Sequence, residues 1–260
     1  AIGSYLTIKR RLGKDYTDRL MCYHARFIYK DRGIKEKQIN SLAEDSDACI
    51  LIATQVVEVS LDIDFDLLIS ENAPIDAQIQ RIGRVNRKGK KPDSAACIFT
   101  HRPISEKVYT RDILLKSMNQ IQSYHNQRPS ESDYSKMVNE VYSDYDPESD
   151  PLFQQGIAAH REIQRLSLQI MDFAKENSDK QKVLTRAISY IKSPIIPLSF
   201  YAGLKDSSAM EKISHQVEIA QSKINSLPPD NKKTDTDGFL YCDFPYNYET
   251  GLLYRDINTI

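Results

Sequence analysis

Cysteine is scarce in this chain of 260 residues, and its placement excludes the simplest cysteine-based sites. No two cysteines have the spacing typical of a metal centre or a redox pair. Three of the four lie in or beside predicted strands, so we interpret them as small buried apolar residues. The five histidines form no cluster either, so we predict no metal site in this chain, and the unpaired cysteines favour a cytoplasmic location. The cysteines are Cys22, Cys49, Cys97 and Cys242.

Long apolar runs and an excess of charge of one sign are also lacking. No stretch has the length of a membrane span or the pattern of a signal peptide, so a membrane is not among the predicted partners. The 35 basic and 36 acidic residues give a net charge of -1, so bulk charge does not indicate nucleic-acid binding. The apolar fraction of 40% is enough for one large core or two modest ones.

A third absence concerns phosphate chemistry. The sequence has no G-x-x-x-x-G-K-[ST] loop to cradle a triphosphate and no Asp-Glu-x-His or Asp-Glu-x-Asp element to hold Mg²⁺. It also has no His-Asp dyad. The chain alone therefore lacks the parts that would hold a triphosphate and a metal ion together.

The most informative segment covers residues 50–87, which read as strand, loop, strand, loop and helix. The apolar run Ile50–Ala53 predicts a parallel strand buried on both faces, and Leu67–Ile69 predicts the next strand. Pro74 lies where a helix would begin, because its fixed φ and missing N–H suit the first position of a helix.

Polar residues follow these elements in a pattern that suits a nucleotide. Spacings of four and three place Gln80, Arg84 and Arg87 on one face of the predicted helix. Thr54 and Asp62 lie beyond the end of the first strand, where open α/β sheets bind ligands. The two arginines offer guanidinium forks that match phosphate oxygens.

A local basic run strengthens the phosphate hypothesis. Residues 77–92 contain six basic residues and no acid, and although such runs usually form a solvated surface, the motif spacing favours phosphate binding here. The basic residues are Arg81, Arg84, Arg87, Lys88, Lys90 and Lys91.

Three motifs together resemble one helicase family. ATQVVEVSLDID, residues 53–64, resembles motif V of superfamily-two helicases, and QRIGRVNR, residues 80–87, resembles their Q-x-x-G-R-x-x-R motif VI. The residues of these two motifs, together with the upstream segment HARFIYKDRGIKEKQI, are similar to those of the helicase–nuclease of type I CRISPR systems. Ala25 stands where that family has serine, which removes one expected hydroxyl contact to nucleic acid. The strong match covers roughly residues 23–99.

The resemblance implies an ATP-dependent DNA helicase that moves along single-stranded DNA in antiviral defence, with ATP and Mg²⁺ as cofactors. It implies that Arg84 and Arg87 are arginine fingers and that Gln80 orients the γ-phosphate and the attacking water. Asp62 would bind the nucleotide ribose or link the nucleotide and DNA sites. The implied nucleic-acid contacts are Thr54, Gln55 and Arg26.

The same resemblance implies partners that this chain does not contain. The first RecA-like lobe would hold most of the Mg²⁺ coordination, and a His-Asp nuclease domain would complete the enzyme, in the same or a separate chain. The remaining implied partners are single-stranded DNA and the Cascade-type target-recognition complex. Without the first lobe, we expect negligible ATP hydrolysis.

The sequence leaves more than one interpretation open for some residues. Glu58 and Asp64 could pair with the family's arginines, form a structural salt bridge or face the opposite lobe. For Arg26 and Arg32, a DNA or lobe contact competes with the interpretation of surface arginines near a helix start.

The predicted fold class is α/β, a RecA-like parallel sheet with flanking helices followed by a mainly helical accessory domain with a small β element. Residues 1–103 would form the second RecA-like lobe and residues 104–260 the accessory domain. No strand precedes the first helix, so we expect the chain to begin inside its domain, as a fragment or a natural split.

Predicted strands cover 20–23, 95–100, 238–243 and 252–257, with an extended segment at 195–201. Predicted helices cover 1–13, 31–46 with Asp31 as N-cap, 104–125, one short segment within 126–151, 153–177, 179–192 and 205–226; 228–237 is a polar loop.

Two alternatives remain. A different superfamily-two motor, such as an RNA helicase or a restriction translocase, shares motif VI, and preference for DNA or RNA would discriminate. A non-catalytic RecA-like binding module is the second, although intact Gln80, Arg84 and Arg87 argue against it because buried guanidinium groups need a partner.

Overall fold

The computed structural model describes residues 1–12, 18–44, 48–59, 61–99, 105–149, parts of 153–161, and 192–254. Residue contacts divide the chain into two compact units. The first comprises Ala1–Leu42, Ser46–Val56 and Gln155–Ile260, and the second comprises Ala43–Asp45 and Val57–Gln154. The predicted division at residue 103 follows the motifs rather than these contacts and stays a prediction.

The N-terminal part of the first unit is a helix–strand repeat. Helix α1 (Ile2–Arg11) buries Ile2 and Tyr5 against strand β1 (Leu20–Tyr23). Helix α2 (Tyr29–Glu44) then connects β1 to strand β2 (Ile50–Ala53), which pairs with β1 in parallel. All four residues of β1 are buried, as its continuous apolar run predicts.

The C-terminal part of the first unit contains a mixed four-stranded sheet and a hairpin. The sheet has the order β6-β5-β8-β7 and the hairpin joins β9 to β10. The strands are β5 (Lys192–Pro197), β6 (Val217–Ala220), β7 (Lys232–Thr234), β8 (Leu240–Cys242), β9 (Tyr246–Asn247) and β10 (Gly251–Leu252).

The two parts of the first unit share one core. Ile28, at the start of α2, packs with Ile195 and Val217 of the sheet and with Leu252 of the hairpin. Each of these side chains is at most 2% exposed. The C-terminal region is therefore bound to the N-terminal repeat by apolar burial, the main favourable term in folding.

The second unit combines a parallel strand pair with three packed helices. Strands β3 (Leu67–Glu71) and β4 (Ala95–Phe99) pair in parallel. The buried side chains Ile75, Ile113, Met137 and Val141 bring the helices together. The helices of this region are the short α3 (Val56–Val59), α4 (Ile75–Ile82), α5 (Arg111–Ser123) and α6 (Glu131–Tyr142).

The α/β fold class is confirmed, and so are the first helix, the predicted parallel strands and the short helix within 126–151. That helix, α6, begins at a capping box in which Ser130 and Asp133 satisfy each other's backbone N–H groups. The predicted helix 104–125 is shorter in the structure, where α5 begins at Arg111 after a 3₁₀ turn, Ser105–Lys107. The predicted helices 153–177 and 179–192 lie largely outside the described residues.

The prediction that β2 is buried on both faces is wrong, and the apolar run of β3 is exposed as well. Ile50 of β2 is 43% exposed, and Leu67 and Ile69 of β3 are 54% and 62% exposed. An apolar run reports side-chain character, whereas burial also requires another element to pack over each face of the sheet. In the described part of the chain, each of these strands pairs with a single neighbour.

The C-terminal region differs most from the prediction. The predicted helix 205–226 is interrupted by β6, because Val217 and Ile219 alternate with polar residues and both point into the core. Short helices flank this strand, namely α7 (Tyr201–Leu204), α8 (Ala209–Ser214) and α9 (Gln221–Asn225). The predicted loop 228–237 contains a 3₁₀ turn and β7.

Two smaller expectations also change. Strands β8 and β10 do not pair with each other, since β8 joins the four-stranded sheet and β10 pairs with β9. Asp31 is not an N-cap, because α2 begins at Tyr29, and its carboxylate instead accepts a hydrogen bond from the Tyr246 hydroxyl at 2.5 Å. That contact adds a polar link between α2 and the hairpin.

Gly251 marks the closest approach of the hairpin to the loop after β1. Its φ is +69°, and an added Cβ would lie 2.7 Å from the carbonyl oxygen of Arg26 and 3.0 Å from Cε1 of His24. His24 Nε2 donates to the carbonyl of Thr250 at 3.0 Å, and its Nδ1 accepts from the Arg26 N–H at 3.1 Å. Burial lowers the pKa of His24 to about 4, which keeps this ring neutral at physiological pH.

We predict that Gly251→Ala destabilises the chain more than the matched change Gly238→Ala. Both glycines have positive φ, but nothing lies within 4 Å of a Cβ at Gly238. Gly238→Ala should cost about 1 kcal/mol from the left-handed backbone alone, and Gly251→Ala on the order of 3 kcal/mol. Urea unfolding followed by circular dichroism measures both, and equal losses would contradict the close approach.

Candidate functional site

The helix that carries motif VI is shorter than the sequence predicts. Helix α4 begins after Pro74 and ends at Ile82, and Gly83 follows as its C-cap. Val85 then forms a parallel bridge with Phe65, and Asn86 adopts a φ of 49°. The expectation that one helix face carries Gln80, Arg84 and Arg87 is therefore wrong, because the chain leaves the helix before Arg84 to pair with the segment preceding β3.

Arg84 connects motif VI to motif V through backbone oxygens. Its Nε donates to the carbonyl of Val57 at 3.1 Å, and its Nη2 donates to the carbonyl of Glu58 at 2.5 Å. Both carbonyls belong to the short helix α3, whose last carbonyls have no partner within the helix. The guanidinium thus caps the negative end of α3 and holds the two motifs in register.

Arg87 is bound to the same region by weaker, more exposed contacts. Its Nε lies 3.1 Å from Oδ1 of Asp62, with side-chain exposures of 45% and 80%. Its backbone N–H donates to Oδ1 of the buried Asp64 at 2.7 Å. The backbone of Arg87 is therefore fixed, whereas its guanidinium stays accessible to solvent.

Glu58 forms a structural salt bridge, one of the three interpretations that the sequence leaves open. Its Oε1 lies 2.7 Å from Nε of Arg81, and the two side chains are only 12% and 14% exposed. Arg81 Nη1 also donates to Ser70 Oγ at 3.0 Å and to the carbonyl of Glu71 at 3.3 Å. The pair joins α3, α4 and β3.

The sequence places Arg81 only in the basic run and does not predict this pairing. A signal was present, since Glu58 stands between Val57 and Val59 and Arg81 precedes Ile82, and charges among apolar neighbours are usually paired when buried. Asp64 was likewise a candidate for an arginine salt bridge, but its carboxylate accepts a backbone N–H instead.

The basic run is only partly available for phosphate. Arg81 and Arg84 are bonded within the unit, and Lys91 Nζ donates to the carbonyl of Asp64 at 2.6 Å and lies 3.3 Å from Asp66 Oδ1. Lys88 and Lys90 are exposed, as is Gln80 at the end of α4. The accessible polar groups around motif VI are therefore Gln80, Arg87, Lys88 and Lys90.

The predicted nucleic-acid residues lie in the first unit. Thr54 follows β2, and its N–H donates to the carbonyl of Tyr23 at 3.3 Å. Gln55 is exposed in the turn after Thr54. The Arg26 guanidinium lies over the ring of Tyr254, 4.9 Å from its centroid, as a cation–π pair.

Within the residues that the structure describes, no three His, Cys, Asp or Glu side chains group as a metal site. In that same part of the chain, no helix is both long and apolar enough to cross a bilayer.

Comparison with known proteins places these motifs in a family. Residues 1–90 match the family model described as "CRISPR-associated nuclease/helicase Cas3, C-terminal". A relative described as a putative CRISPR-associated nuclease/helicase Cas3 from Methanocaldococcus jannaschii is 30% identical over 258 residues, which cover 90% of this chain and 34% of that protein. The chain thus spans about a third of the length of this curated relative.

Solved structures show the same fold. "Crystal structure of T. fusca Cas3-ATP" matches 97% of this chain and 37% of its own, with a TM-score of 0.61 and 15% identity. A chain of "CRISPR RNA-guided surveillance complex, pre-nicking" matches 97% of this chain and 38% of its own, with a TM-score of 0.58 and 17% identity. At these identities the likeness concerns the fold alone.

We predict that Glu58→Ala destabilises the chain far more than Asp62→Ala. Removing Glu58 leaves the Arg81 guanidinium buried without a carboxylate, which should cost about 3–5 kcal/mol of unfolding free energy. Removing Asp62 breaks an exposed pair and should cost no more than about 1 kcal/mol. Chemical denaturation of both variants measures the difference, and a small loss for Glu58→Ala would show that the pair contributes little.

Proposed function

Because the chain belongs to the family of CRISPR-associated nuclease/helicases, whose C-terminal part it represents, we propose that it is the C-terminal lobe of an ATP-dependent motor on single-stranded DNA. One observation carries the proposal most directly. Arg87 has a fixed backbone but a half-exposed guanidinium, whose ion-pair partner among the described residues is the exposed carboxylate of Asp62. Such a group can exchange its partner for a phosphate at little cost.

The donor set around motif VI fits a triphosphate. Arg87 and Gln80 offer N–H donors at the surface, and Arg84 holds the motif VI turn against α3 through two carbonyls. In the proposed enzyme, Arg84 and Arg87 would stabilise negative charge that develops on the γ-phosphate, for which Arg84 would exchange a carbonyl partner, and Gln80 would orient the attacking water. Asp62 releases Arg87 when the phosphate takes its place. ATP, when bound, supplies the free energy for movement, and Mg²⁺ is held mainly by the first RecA-like lobe.

DNA contact is the second part of the proposal. Thr54 and Gln55 follow β2, where a parallel strand ends, and Arg26 follows β1. We assign to them contacts with the DNA backbone, which need polar or cationic groups but no base recognition. Ala25 provides no hydroxyl at the neighbouring position.

The proposed partners are those that the family resemblance implies. The proposed complete enzyme adds the first RecA-like lobe and the His-Asp nuclease domain, and it works in the cytoplasm on DNA that the Cascade-type complex has opened. Similar folds occur in "CRISPR RNA-guided surveillance complex, pre-nicking" and in "Crystal structure of T. fusca Cas3-ATP", and both likenesses support the fold of the proposed motor.

One observation favours a second candidate, a non-catalytic RecA-like module. Arg84 and Arg87 already have partners inside the unit, so their presence does not by itself require a phosphate. A module of this kind would retain motif VI for its structural contacts. Hydrolysis by the assembled enzyme distinguishes the two.

We predict that this chain alone hydrolyses ATP negligibly, and that addition of the first lobe and single-stranded DNA restores turnover. In the assembled enzyme, Arg87→Ala should lower kcat by a factor on the order of 10³ to 10⁵, the range for arginine fingers. The matched control Arg111→Ala, which removes another exposed arginine of the second unit, should leave kcat unchanged. A phosphate-release assay measures all three, and an Arg87→Ala enzyme of normal rate supports the module instead.

We also predict that binding of a single-stranded oligonucleotide by the chain weakens steeply between about 50 and 200 mM salt, because backbone contacts release counterions. Affinity should not depend on base sequence. Fluorescence anisotropy at several salt concentrations measures the slope. A flat dependence, or a strong preference for one sequence or for RNA, contradicts the assignment of Thr54, Gln55 and Arg26 to a DNA backbone.

A further inference from the structure

A cavity of about 470 Å³ lies in the first unit beside the buried side chain of Lys35. It opens to solvent, and helix α1, strand β1, helix α2 and the turn between β9 and β10 line it. None of the residues assigned above to nucleotide or DNA contacts lines this cavity. The lining side chains that matter here are Tyr5, Cys22, Lys35, Gln38, Tyr248 and Glu249.

Lys35 is a buried cation without a carboxylate partner. It is 4% exposed, and among the described residues no carboxylate oxygen lies within ion-pair distance of its Nζ. Its ammonium instead lies 4.7 Å from the ring centroid of Phe27 and 4.4 Å from that of Tyr248. Two rings offset only part of the cost of taking an ammonium ion out of bulk water.

The electrostatics agree with an ammonium group that has no anion in direct contact. Burial lowers the pKa of Lys35, and only the more distant Cys22, Asp31 and Glu249 favour its charged form. An anion in direct contact would oppose the effect of burial and keep the lysine protonated.

The other polar groups of the cavity leave room for one anionic group. The Tyr248 hydroxyl donates to Oε1 of Gln38 at 3.0 Å, so the amide nitrogen of Gln38 remains as a donor. Glu249 is neutralised by Lys9, whose Nζ lies 2.8 and 2.6 Å from its two oxygens. Asp18, the other lining carboxylate, is exposed, where water screens its charge.

These features limit the ligand to a small monoanion. The two carboxylates disfavour a polyanion such as a triphosphate or a nucleic-acid backbone, whereas one buried ammonium suits a single carboxylate. Leu20, Met21 and Leu42 add apolar lining, and the aromatic rings of Tyr5 and Tyr248 supply flat surface. The volume lies within the range of small-molecule sites.

We propose that this cavity binds the carboxylate of a small organic anion, with Lys35 as the ion-pair partner, Gln38 as a hydrogen-bond donor and the tyrosine rings against the apolar body. This site is separate from the proposed nucleotide and DNA contacts and does not depend on them. Its occupation would replace the missing partner of Lys35 and tighten the contact of α1 and α2 with the hairpin.

Benzoate is the probe, because it combines one carboxylate with a flat apolar ring. Titration into the unaltered chain should shift the side-chain Cε–Hε resonance of Lys35 in an NMR spectrum and leave that of Lys37 unchanged. Lys37 lies on the same helix but is exposed and outside the cavity. Benzyl alcohol, which has the ring without the charge, should cause no such shift.

Calorimetry on variants gives the second test. Lys35→Met should weaken benzoate binding by a factor on the order of ten or more, and the matched Lys37→Met should leave it unchanged. Lys35→Met is expected to fold, because an apolar side chain of similar volume often replaces a buried charge without loss. An unshifted Lys35 resonance at saturating benzoate, or equal affinity of the chain and Lys35→Met, would overturn the proposal, and the resonance measurement does not depend on the variant.

Discussion

The buried ion pair between Glu58 and Arg81 is the contact on which the candidate site depends. It joins the short helix of motif V to the helix of motif VI, and Ser70 of β3 adds a hydrogen bond to the same guanidinium. With α3 and α4 held together, Arg84 reaches the carbonyls of Val57 and Glu58. A buried charge pair is costly to break from either side, so the relative placement of the two motifs is well determined.

The arginine side chains of motif VI differ in solvent exposure, and they differ in function accordingly. Arg81 is largely shielded from solvent and pairs with a similarly shielded carboxylate, whereas Arg87 is half exposed and pairs with an exposed one. The first arrangement resists exchange of partners and the second permits it, because water screens and replaces surface pairs readily. One short segment therefore combines a rigid support with a side chain that can move to an anion.

In the first unit, apolar burial rather than charge brings distant segments together. Ile28 packs among side chains from β5, β6 and β10, and Gly251 lets the hairpin backbone approach the loop after β1. The neutral ring of His24 completes this contact through its bond to Thr250. The same packing buries Lys35, whose ammonium gains aromatic neighbours but no carboxylate.

The sequence by itself determined the α/β class, the strands Leu20–Tyr23 and Ile50–Ala53, and the family, because continuous apolar runs and motif wording are local properties. Only the tertiary structure decided where α4 ends, which acid meets Arg81, and that Val217–Ala220 is a strand. Each of these depends on a partner distant in sequence: Phe65 draws Val85 out of the helix, Glu58 lies 23 residues before Arg81, and β5 supplies the hydrogen bonds of β6. Local patterns specify which residues are apolar or polar and which elements they favour. Long-range contacts then select among the conformations that these patterns allow.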